Sequence, residues 1–342
     1  MASHASSSLA AASRSHPHPR EGERAEGHSG ADTGIYTSLA ELIALQQAAR
    51  GFSLLAKPPQ GSPLLGRRAT RLRGRGLAFE ELRDYRPGDD PRHIDWKVTA
   101  RTGRPHSRVF TEERDRPVLL VVDQRLSMFF GTRVQMKSVS AAELAAVLAW
   151  QVAAAGDRLG ALVFSDAGLT EIEPRRERAS LLRTFATLVD YNRRLGVSKG
   201  LEHAPGRLDA VLAGLARRAR HDWIIVIISD FHDYSAETRA NVRRLARHND
   251  VIAAFIEDPI AAGVPARRQI VVSDTRYQIV LDTTALRTRA AVDSVGVQRR
   301  AFLAQLRREL DVPLLALSSN GDMAGQLRAA LGFAPAVASL IG

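Results

Sequence analysis

The segment with the clearest chemical potential is an apolar strand that ends in an acid. Val118 to Val122 are all apolar, Asp123 follows, and Arg125 and Ser127 come at alternate positions after it. A carboxylate followed two and four residues later by hydroxyls, at the carboxyl end of a buried parallel strand, can gather oxygens around one Mg²⁺. Here the first hydroxyl position holds Arg125, whose guanidinium has no lone pair for a metal and pairs readily with carboxylates. The pattern therefore predicts either an incomplete cation site or a site in which Arg125 replaces the cation.

A second apolar strand also ends in acids, Asp230 and Asp233, with His232 between them. Ligands of open α/β sheets bind outside the carboxyl ends of the strands, so Asp123 and Asp230 should lie at one edge of the sheet. Clustered carboxylates and a histidine can hold a metal and activate water, which makes a metal-dependent hydrolase or nuclease an alternative. The sequence has no Walker A loop, Gly-x-Ser-x-Gly elbow or His-Glu-x-x-His motif to support that alternative. In the simplest alternative, Arg125 points to solvent and the acids cap helix N-termini.

The composition limits the chemistry that the chain can carry. Its 342 residues have room for one large α/β domain with an appendage, or for two modest domains. The absence of cysteine excludes disulfides, thiolate metal sites and cysteine nucleophiles. The formal charge of +11 suggests an arginine-rich nucleic-acid-binding protein as a further alternative. Only four of the 48 basic residues are lysine and no nucleic-acid motif accompanies the charge, so a solvated basic surface is favoured.

The N-terminal segment and the longest apolar segment both indicate a soluble protein. Residues 1–33 contain few bulky apolar side chains, so we expect a disordered tail, whose irregularly spaced histidines would chelate a metal only weakly. No apolar run of signal-peptide length occurs there. The segment 141–155 carries Glu143 and Gln151 and is too short to span a bilayer. We therefore expect a cytoplasmic protein without a membrane span.

Beyond Pro117, short apolar runs alternate with helical patterns, which predicts a mostly parallel sheet flanked by helices. The predicted strands cover residues 118–123, 159–164, 223–229, 250–256 and 312–317. The predicted helices cover residues 138–155, 177–190, 207–219, 236–248, 287–310 and 323–331. Shorter strands at the sheet edges are predicted at residues 169–173, 270–273 and 278–281. Upstream, a capping box from Ser38 to Glu41 predicts a helix over residues 38–50.

A charged segment precedes the α/β pattern. Between Gly66 and Arg116, 14 basic and nine acidic residues are interleaved with aromatic and apolar ones, which predicts a small β-rich extension. The expected divisions are a tail at 1–33, a helix and linker at 34–60, the extension at 61–116 and the α/β domain at 117–342.

Within the extension, a turn is expected at Pro87 and Gly88, with short strands on both sides. His93 and Asp95 would then share one face of a strand and make a structural hydrogen bond. Trp96 would face the opposite side and contribute to the core.

The stretch from Gly76 to Gly103 carries a family resemblance. It reads GLAFEELRDYRPGDDPRHIDWKVTARTG, and the likeness continues through the acids at 112 and 113 to Asp123. This stretch resembles the signature of the bacterial family catalogued as domain of unknown function 58, and the resemblance covers roughly residues 60–280. The residues that carry it are Gly76, Phe79, Glu80, Arg83, Tyr85, Pro87, Gly88, Asp89, Asp90, Arg92, Asp95, Trp96 and Arg101.

The resemblance implies a von Willebrand factor A-like domain preceded by a small β extension. It also implies a partner, because members of the family are associated with AAA+ ATPases of the MoxR type and are thought to act as their adaptors; other von Willebrand A-domain proteins are possible partners. Many members carry two transmembrane helices before the signature. Because no such helices are predicted here, this chain resembles the short soluble branch. The resemblance thus favours a non-enzymatic interaction module, docking through the loops around Asp123, Ser127 and Asp230 or through the extension at 76–116.

The resemblance further implies a degenerate metal-ion-dependent adhesion site. In von Willebrand A domains this site uses Asp-x-Ser-x-Ser, a threonine from a second loop and an aspartate from a third. Asp123 and Ser127 match the first loop and Asp230 the third, whereas Arg125 departs from the pattern and the second loop, at Arg207, has no threonine. Three of five ligands remain, so Asp123, Ser127 and Asp230 would hold Mg²⁺ only if the site were live. We expect instead that Arg125 is a tethered substitute for the metal.

Overall fold

The computed structural model describes residues 34–54, 76–86, 89–113, 116–196, 199–262, 269–273, 278–282 and 286–333. The expected tail at 1–33 and most of the expected linker lie outside these residues. Pro87 and Gly88 of the expected turn lie outside them too.

Ten strands and eight helices occur in the described part of the chain. The strands are β1 (Gly76–Asp84), β2 (His106–Glu113), β3 (Val118–Asp123), β4 (Leu159–Phe164), β5 (Leu169–Arg175), β6 (Ile224–Ser229), β7 (Asp250–Glu257), β8 (Gln269–Ser273), β9 (Gln278–Asp282) and β10 (Leu314–Ser318). The helices are α1 (Leu39–Ala44), α2 (Trp96–Thr102), α3 (Lys137–Ala155), α4 (Arg178–Arg193), α5 (Arg207–Arg218), α6 (Ala236–Ala246), α7 (Leu286–Leu310) and α8 (Met323–Ala330). The strands and helices predicted beyond Pro117 agree with these bounds to within three residues.

Six strands form the main sheet, in the order β10-β7-β6-β3-β4-β5. All neighbours are parallel except β5, which runs antiparallel to β4 at the edge. The expected α/β class, a mostly parallel sheet flanked by helices, is therefore confirmed. Val122 pairs with Ile228 on one side, and Asp123 pairs with Phe164 on the other. This register brings the carboxyl ends of β6, β3 and β4 level with one another.

The four central strands, β7, β6, β3 and β4, are buried on both faces, which explains their continuous apolar runs, whereas the edge strands β5 and β10 are partly exposed. Along β3, Val118, Leu120 and Val122 belong to a core with α1, α3, α4 and α8. Leu119 and Val121 belong to a second core with α5, α6 and α7. Successive side chains of a strand point to opposite faces, so an alternating apolar-polar pattern would leave one core without its packing residues. Burying each such side chain contributes about 1.5–3 kcal/mol.

Helix α3 is the central helix of the first core. Its 19 residues are long and apolar enough to cross a membrane by length and composition, but 78% of its most apolar window is buried inside the fold. The expectation that this segment is too short to span a bilayer considered only residues 141–155, whereas the helix begins at Lys137. Packing against the sheet accounts for the apolar character of the helix.

Three predicted elements differ from the structure. Helix α1 begins at its capping box at Ser38 but ends at Ala44, and turns rather than a helix follow to Gly51. Strands β8 and β9 pair with each other as a separate hairpin instead of extending the main sheet. The segment after the expected turn contains a short 3₁₀ helix and α2 rather than a strand.

Candidate functional site

Acids at the carboxyl ends of four parallel strands organise the loops of one sheet edge. Asp123 ends β3, Asp166 lies two residues after β4, Asp230 directly follows β6 and Asp258 directly follows β7. All four side chains are buried. Buried carboxylates need hydrogen-bond donors, and neighbouring loops provide them. For example, the backbone N–H of Leu126 donates to Asp166 at 2.7 Å. The two acids expected from the sequence therefore belong to a row of four.

Arg125 folds back onto Asp123. Its Nε lies 3.0 Å from Oδ1 and its Nη2 lies 2.8 Å from Oδ2, so the guanidinium forks onto the carboxylate. The backbone N–H of Arg125 donates to Oδ1 at 3.0 Å, and the Ser229 hydroxyl donates to Oδ2 at 2.6 Å. The Arg125 side chain is 0% exposed, so the alternative in which it points to solvent is wrong.

Asp230 is surrounded by cations from three different elements. Lys137, the first residue of α3, places Nζ 2.5 Å from Oδ2, and Arg299 of α7 places Nη1 3.8 Å from the same oxygen. Nη2 of Arg125 lies 4.0 Å from Oδ1. Ser127 donates to Oδ1 at 3.4 Å, a long and therefore weak hydrogen bond. Asp123 and Asp230 are thus neutralised by side chains of the protein itself.

The electrostatics keep Arg125 and Asp230 charged at neutral pH. Burial alone would lower the pKa of Arg125, but the carboxylates of Asp123 and Asp230 outweigh burial and raise it above its usual range. Burial alone would raise the pKa of Asp230, but Lys137, Arg299 and Arg125 outweigh burial and hold it well below its usual range. The buried charges compensate one another, as buried ions must.

These residues do not fit a magnesium ion. Mg²⁺ requires near-octahedral oxygen ligands, yet both carboxylate oxygens of Asp123 already accept hydrogen bonds from Arg125. The guanidinium fills the space beside the carboxylate that an ion would need. The second-loop position supplies no side-chain oxygen either, because it is occupied by an arginine. Nε of this Arg207 donates to the Ser165 carbonyl at 2.9 Å. A cation could enter only by displacing Arg125.

Sequence reasoning missed Lys137, Arg299, Ser229 and Asp166 at this edge. Lys137 is one of four lysines in the chain and begins a mostly apolar helix, and this combination could have marked it. Arg299 lies on α7, far along the chain from the two acids, and no local pattern marks it. Its role follows only from the packing of α7 beside the carboxyl end of β6.

The remaining acid and the histidine of the hydrolase alternative, Asp233 and His232, lie just outside the buried cluster. His232 is half-buried, and its Nε2 lies 3.2 Å from Asp233 Oδ1. Burial lowers the pKa of His232, against the opposing effects of Asp230 and Asp233.

The described residues of the family resemblance mostly build the extension. Arg83 donates to Asp89 at 2.7 Å, and the backbone N–H of Arg86 donates to the same carboxylate at 2.9 Å. These bonds, first that from Arg86 and then that from Arg83, lower the pKa of Asp89. Asp90 and Asp95 each cap a following helical turn. Gly76, Phe79 and Glu80 lie on β1, Tyr85 follows it, and Arg92 and Arg101 are exposed.

Trp96 is 69% exposed, so its expected place in the core is wrong. The error has a physical reason, since Asp95 is a helix N-cap whose carboxylate accepts the N–H groups of Lys97 and Val98. The predicted strand alternation therefore does not apply, and Trp96 begins a helix with its ring in solvent.

Comparison with known proteins places the chain in a family. A family model described as "Protein of unknown function DUF58" matches residues 81–301, more than half of the chain. The chain belongs to the DUF58 family. It is 32% identical over 284 residues to uncharacterised proteins of Mycobacterium bovis and Mycobacterium tuberculosis, covering 81% of this chain and 86% of each relative.

Two solved structures are similar to this DUF58 protein at low sequence identity. The conserved hypothetical protein BatB from Bacteroides thetaiotaomicron is 13% identical, with a TM-score of 0.36 and coverage of 63% of this chain and 95% of that chain. Proximal thread matrix protein 1 from the mussel byssus is also 13% identical, with a TM-score of 0.30 and coverage of 43% of this chain and 39% of that chain.

Proposed function

We propose that this DUF58 protein is a non-enzymatic protein-interaction module with a degenerate metal-ion-dependent adhesion site, in which Arg125 takes the place of the metal ion. The observation that carries the proposal is the position of the buried guanidinium, forked onto Asp123 and 4.0 Å from Asp230. A divalent cation between two carboxylates holds the loops of two strands together. A fixed guanidinium does the same, but offers no open coordination position to a partner.

The docking surface follows from exposure. Asp123 and Asp230 are 0% and 1% exposed, so neither side chain can contact a partner directly. Docking through the loops around Asp123, Ser127 and Asp230 would have to use other side chains of those loops, so we favour the second expected surface, the extension. There helix α2 carries the exposed indole of Trp96 and the exposed side chains of Lys97 and Arg101. An exposed aromatic ring with adjacent cations is a typical anchor for a partner with an acidic rim.

The proposed partner is a MoxR-type AAA+ ATPase, an assignment supported by the family resemblance. The test is co-purification of the full chain with such an ATPase from the same genome, with and without nucleotide. Trp96→Ala should weaken binding by at least about tenfold, because interface tryptophans are frequent hot spots. It should leave the free energy of unfolding within about 0.5 kcal/mol of the wild type, as an exposed substitution does.

The matched control is Val134→Ala in the loop after β3, where the side chain is 57% exposed. If the extension is the docking surface, this variant binds the ATPase as the wild type does. Loss of binding in Val134→Ala with normal binding in Trp96→Ala would move the docking surface to the sheet edge. Failure of the wild type to bind the ATPase in either nucleotide state would remove the proposed partner.

The alternative of a metal-dependent hydrolase or nuclease that uses Asp123, Asp230 and Asp233 has less support. Two of these acids are buried and paired with cations, so their oxygens are not free to activate water. Turnover of a phosphodiester or peptide substrate that disappears in Asp230→Asn would revive it.

The alternative of an arginine-rich nucleic-acid-binding protein draws on the same exposed cations of α2. It predicts a gel shift that weakens steeply with salt. The absence of a shift at low ionic strength would dismiss it.

A further inference from the structure

A second group of potential ligands lies beside the buried cluster. His203, from the loop before α5, meets His232 and Asp233, from the loop after β6, with one ligand atom of each residue within 4.8 Å of the others. We propose that His203, His232 and Asp233 form a binding site for a transition-metal ion of the zinc class. The inference does not depend on the proposed function.

The distances in this group suit tetrahedral coordination. Asp233 Oδ2 lies 2.7 Å from His203 Nε2, and Asp233 Oδ1 lies 3.2 Å from His232 Nε2. Ligands about 2.0–2.1 Å from a tetrahedral Zn²⁺ stand roughly 3.3 Å apart, so only small shifts would close the site around an ion. Among the described residues, Asp233 Oδ2 is one of the few buried side-chain oxygens without a well-formed hydrogen bond. The contact of this oxygen with His203 Nε2 at 2.7 Å is the one that a bound ion would replace.

The backbone holds His232 and Asp233 in place. Phe231 and Asp233 both have left-handed backbone angles, with φ of 50° and 59°. Such residues cost about 1–3 kcal/mol of strain each and persist where the surroundings enforce them. Hydrogen bonds on both sides of His232 hold this backbone: its N–H donates to Asp230 at 2.9 Å, and its carbonyl accepts from Arg125 at 3.2 Å. The buried ion pairs thus position the loop that carries two of the three ligands.

Asp166 supports the third ligand. Its Oδ1 lies 3.5 Å from His203 Nδ1 and accepts the backbone N–H of Ala204 at 2.9 Å. A carboxylate behind the second nitrogen of a histidine is the usual support of a metal-binding imidazole, because it fixes the tautomer and the ring orientation. With Nδ1 of His203 protonated toward Asp166, its Nε2 presents a lone pair to the ion.

Arg299 opposes occupancy of the site. Its Nη2 lies 3.0 Å from His232 Nδ1, and since a guanidinium can only donate, Nδ1 accepts and the proton of the neutral ring sits on Nε2. An ion at Nε2 requires that proton to move to Nδ1 and the Arg299 hydrogen bond to break. Arg299 and the metal therefore compete for His232.

The donor set selects the class of ion. Two imidazoles and one carboxylate suit Zn²⁺ and the neighbouring first-row ions, whereas Mg²⁺ prefers oxygen ligands alone. Three protein ligands leave one position of a tetrahedral ion for water or for a carboxylate of another molecule.

The test is calorimetric titration of Zn²⁺ into the full chain. Four other histidines lie in the N-terminal segment, so the reference chain carries His4→Asn, His16→Asn, His18→Asn and His28→Asn together. It should bind one Zn²⁺ per chain. His203→Ala and Asp233→Asn should each weaken that binding by at least about tenfold, and His221→Ala, a histidine elsewhere on the surface, should not.

Arg299→Gln should tighten Zn²⁺ binding several-fold, because it removes both the competing hydrogen bond and a nearby positive charge. Thermal melts without metal check that each variant is folded. A Co²⁺ visible spectrum of tetrahedral type, lost in His203→Ala, would support the ligand geometry. The inference is overturned if the reference chain shows no saturable Zn²⁺ binding, or if His203→Ala and Asp233→Asn bind as the reference does.

Discussion

Replacement of Arg125 by methionine tests the role of the buried guanidinium most sharply. Methionine keeps much of the volume but removes the charge and the fork onto Asp123. The carboxylate then remains buried with fewer donors, and breaking a buried pair from one side typically costs about 3–5 kcal/mol. For a domain of this size each kcal/mol lowers Tm by about 2–4 °C, so Arg125→Met should lower Tm by roughly 6–20 °C.

The assay is urea denaturation in a double-mutant cycle with Asp123→Asn. If the two side chains form one unit, the double variant should be less destabilised than the sum of the two single variants, with a coupling of about 1–3 kcal/mol. Arg92→Met is the matched control, because Arg92 is exposed and its loss should change the free energy of unfolding by no more than about 0.5 kcal/mol.

Two results would refute this reasoning. The first is an Arg125→Met variant whose free energy of unfolding falls by less than about 1 kcal/mol, which would mean that Asp123 does not need the guanidinium. The second is strict additivity in the cycle, which would mean that the two residues act separately.

Four further predictions concern other polar groups that are buried or partly buried. Lys137→Met should lower the free energy of unfolding by about 3–5 kcal/mol in urea denaturation, because it removes the 2.5 Å partner of buried Asp230. The pKa of Asp230 is lowered, so the stability that this carboxylate contributes is present above its ordinary pKa of 3.8 and is lost as pH falls. In denaturation at several acidic pH values, the free energy of unfolding of Asp230→Asn should therefore fall less steeply with falling pH than that of the wild type. The pKa of Glu143 is raised above 4.5, chiefly by burial, so its contribution to stability falls as pH rises through the folded pKa; Glu143→Gln should flatten that slope and stabilise the protein at neutral pH in denaturation at several pH values. Asp209→Asn should cost about 1.5–3 kcal/mol in thermal or urea denaturation, because buried Asp209 accepts the hydroxyl of Thr238 at the start of α6.

The main sheet was predictable because its central strands are buried on both faces. Continuous apolar runs of five or six residues, separated by helical patterns, leave few arrangements other than a parallel sheet with crossover helices. The ends of β3 and β4 were placed without error for this reason. The hairpin of β8 and β9 was harder, because local pattern indicates a strand without indicating its neighbour.

The site was predictable only in its local part. Arg125 lies two residues from Asp123, so their pairing could be inferred from spacing and chemistry. Lys137 and Arg299 approach Asp230 through packing of α3 and α7, and no spacing in the sequence encodes that approach. Trp96 shows the opposite failure, in which a capping aspartate was present in the sequence and was interpreted as part of a strand.

The proposed role of His203 also could not be predicted from local sequence. It depends on the contact of His203 with His232 and Asp233, which lie about 30 residues further along the chain in a separate loop. A single histidine in a loop carries no such information by itself.

The most direct test of the account is calorimetric titration of Mg²⁺ into the wild-type chain and into Asp123→Asn. If Arg125 occupies the place of the ion, the wild type shows no saturable Mg²⁺ binding that depends on Asp123, and the two titrations are alike. Micromolar Mg²⁺ binding by the wild type that disappears in Asp123→Asn would contradict the account.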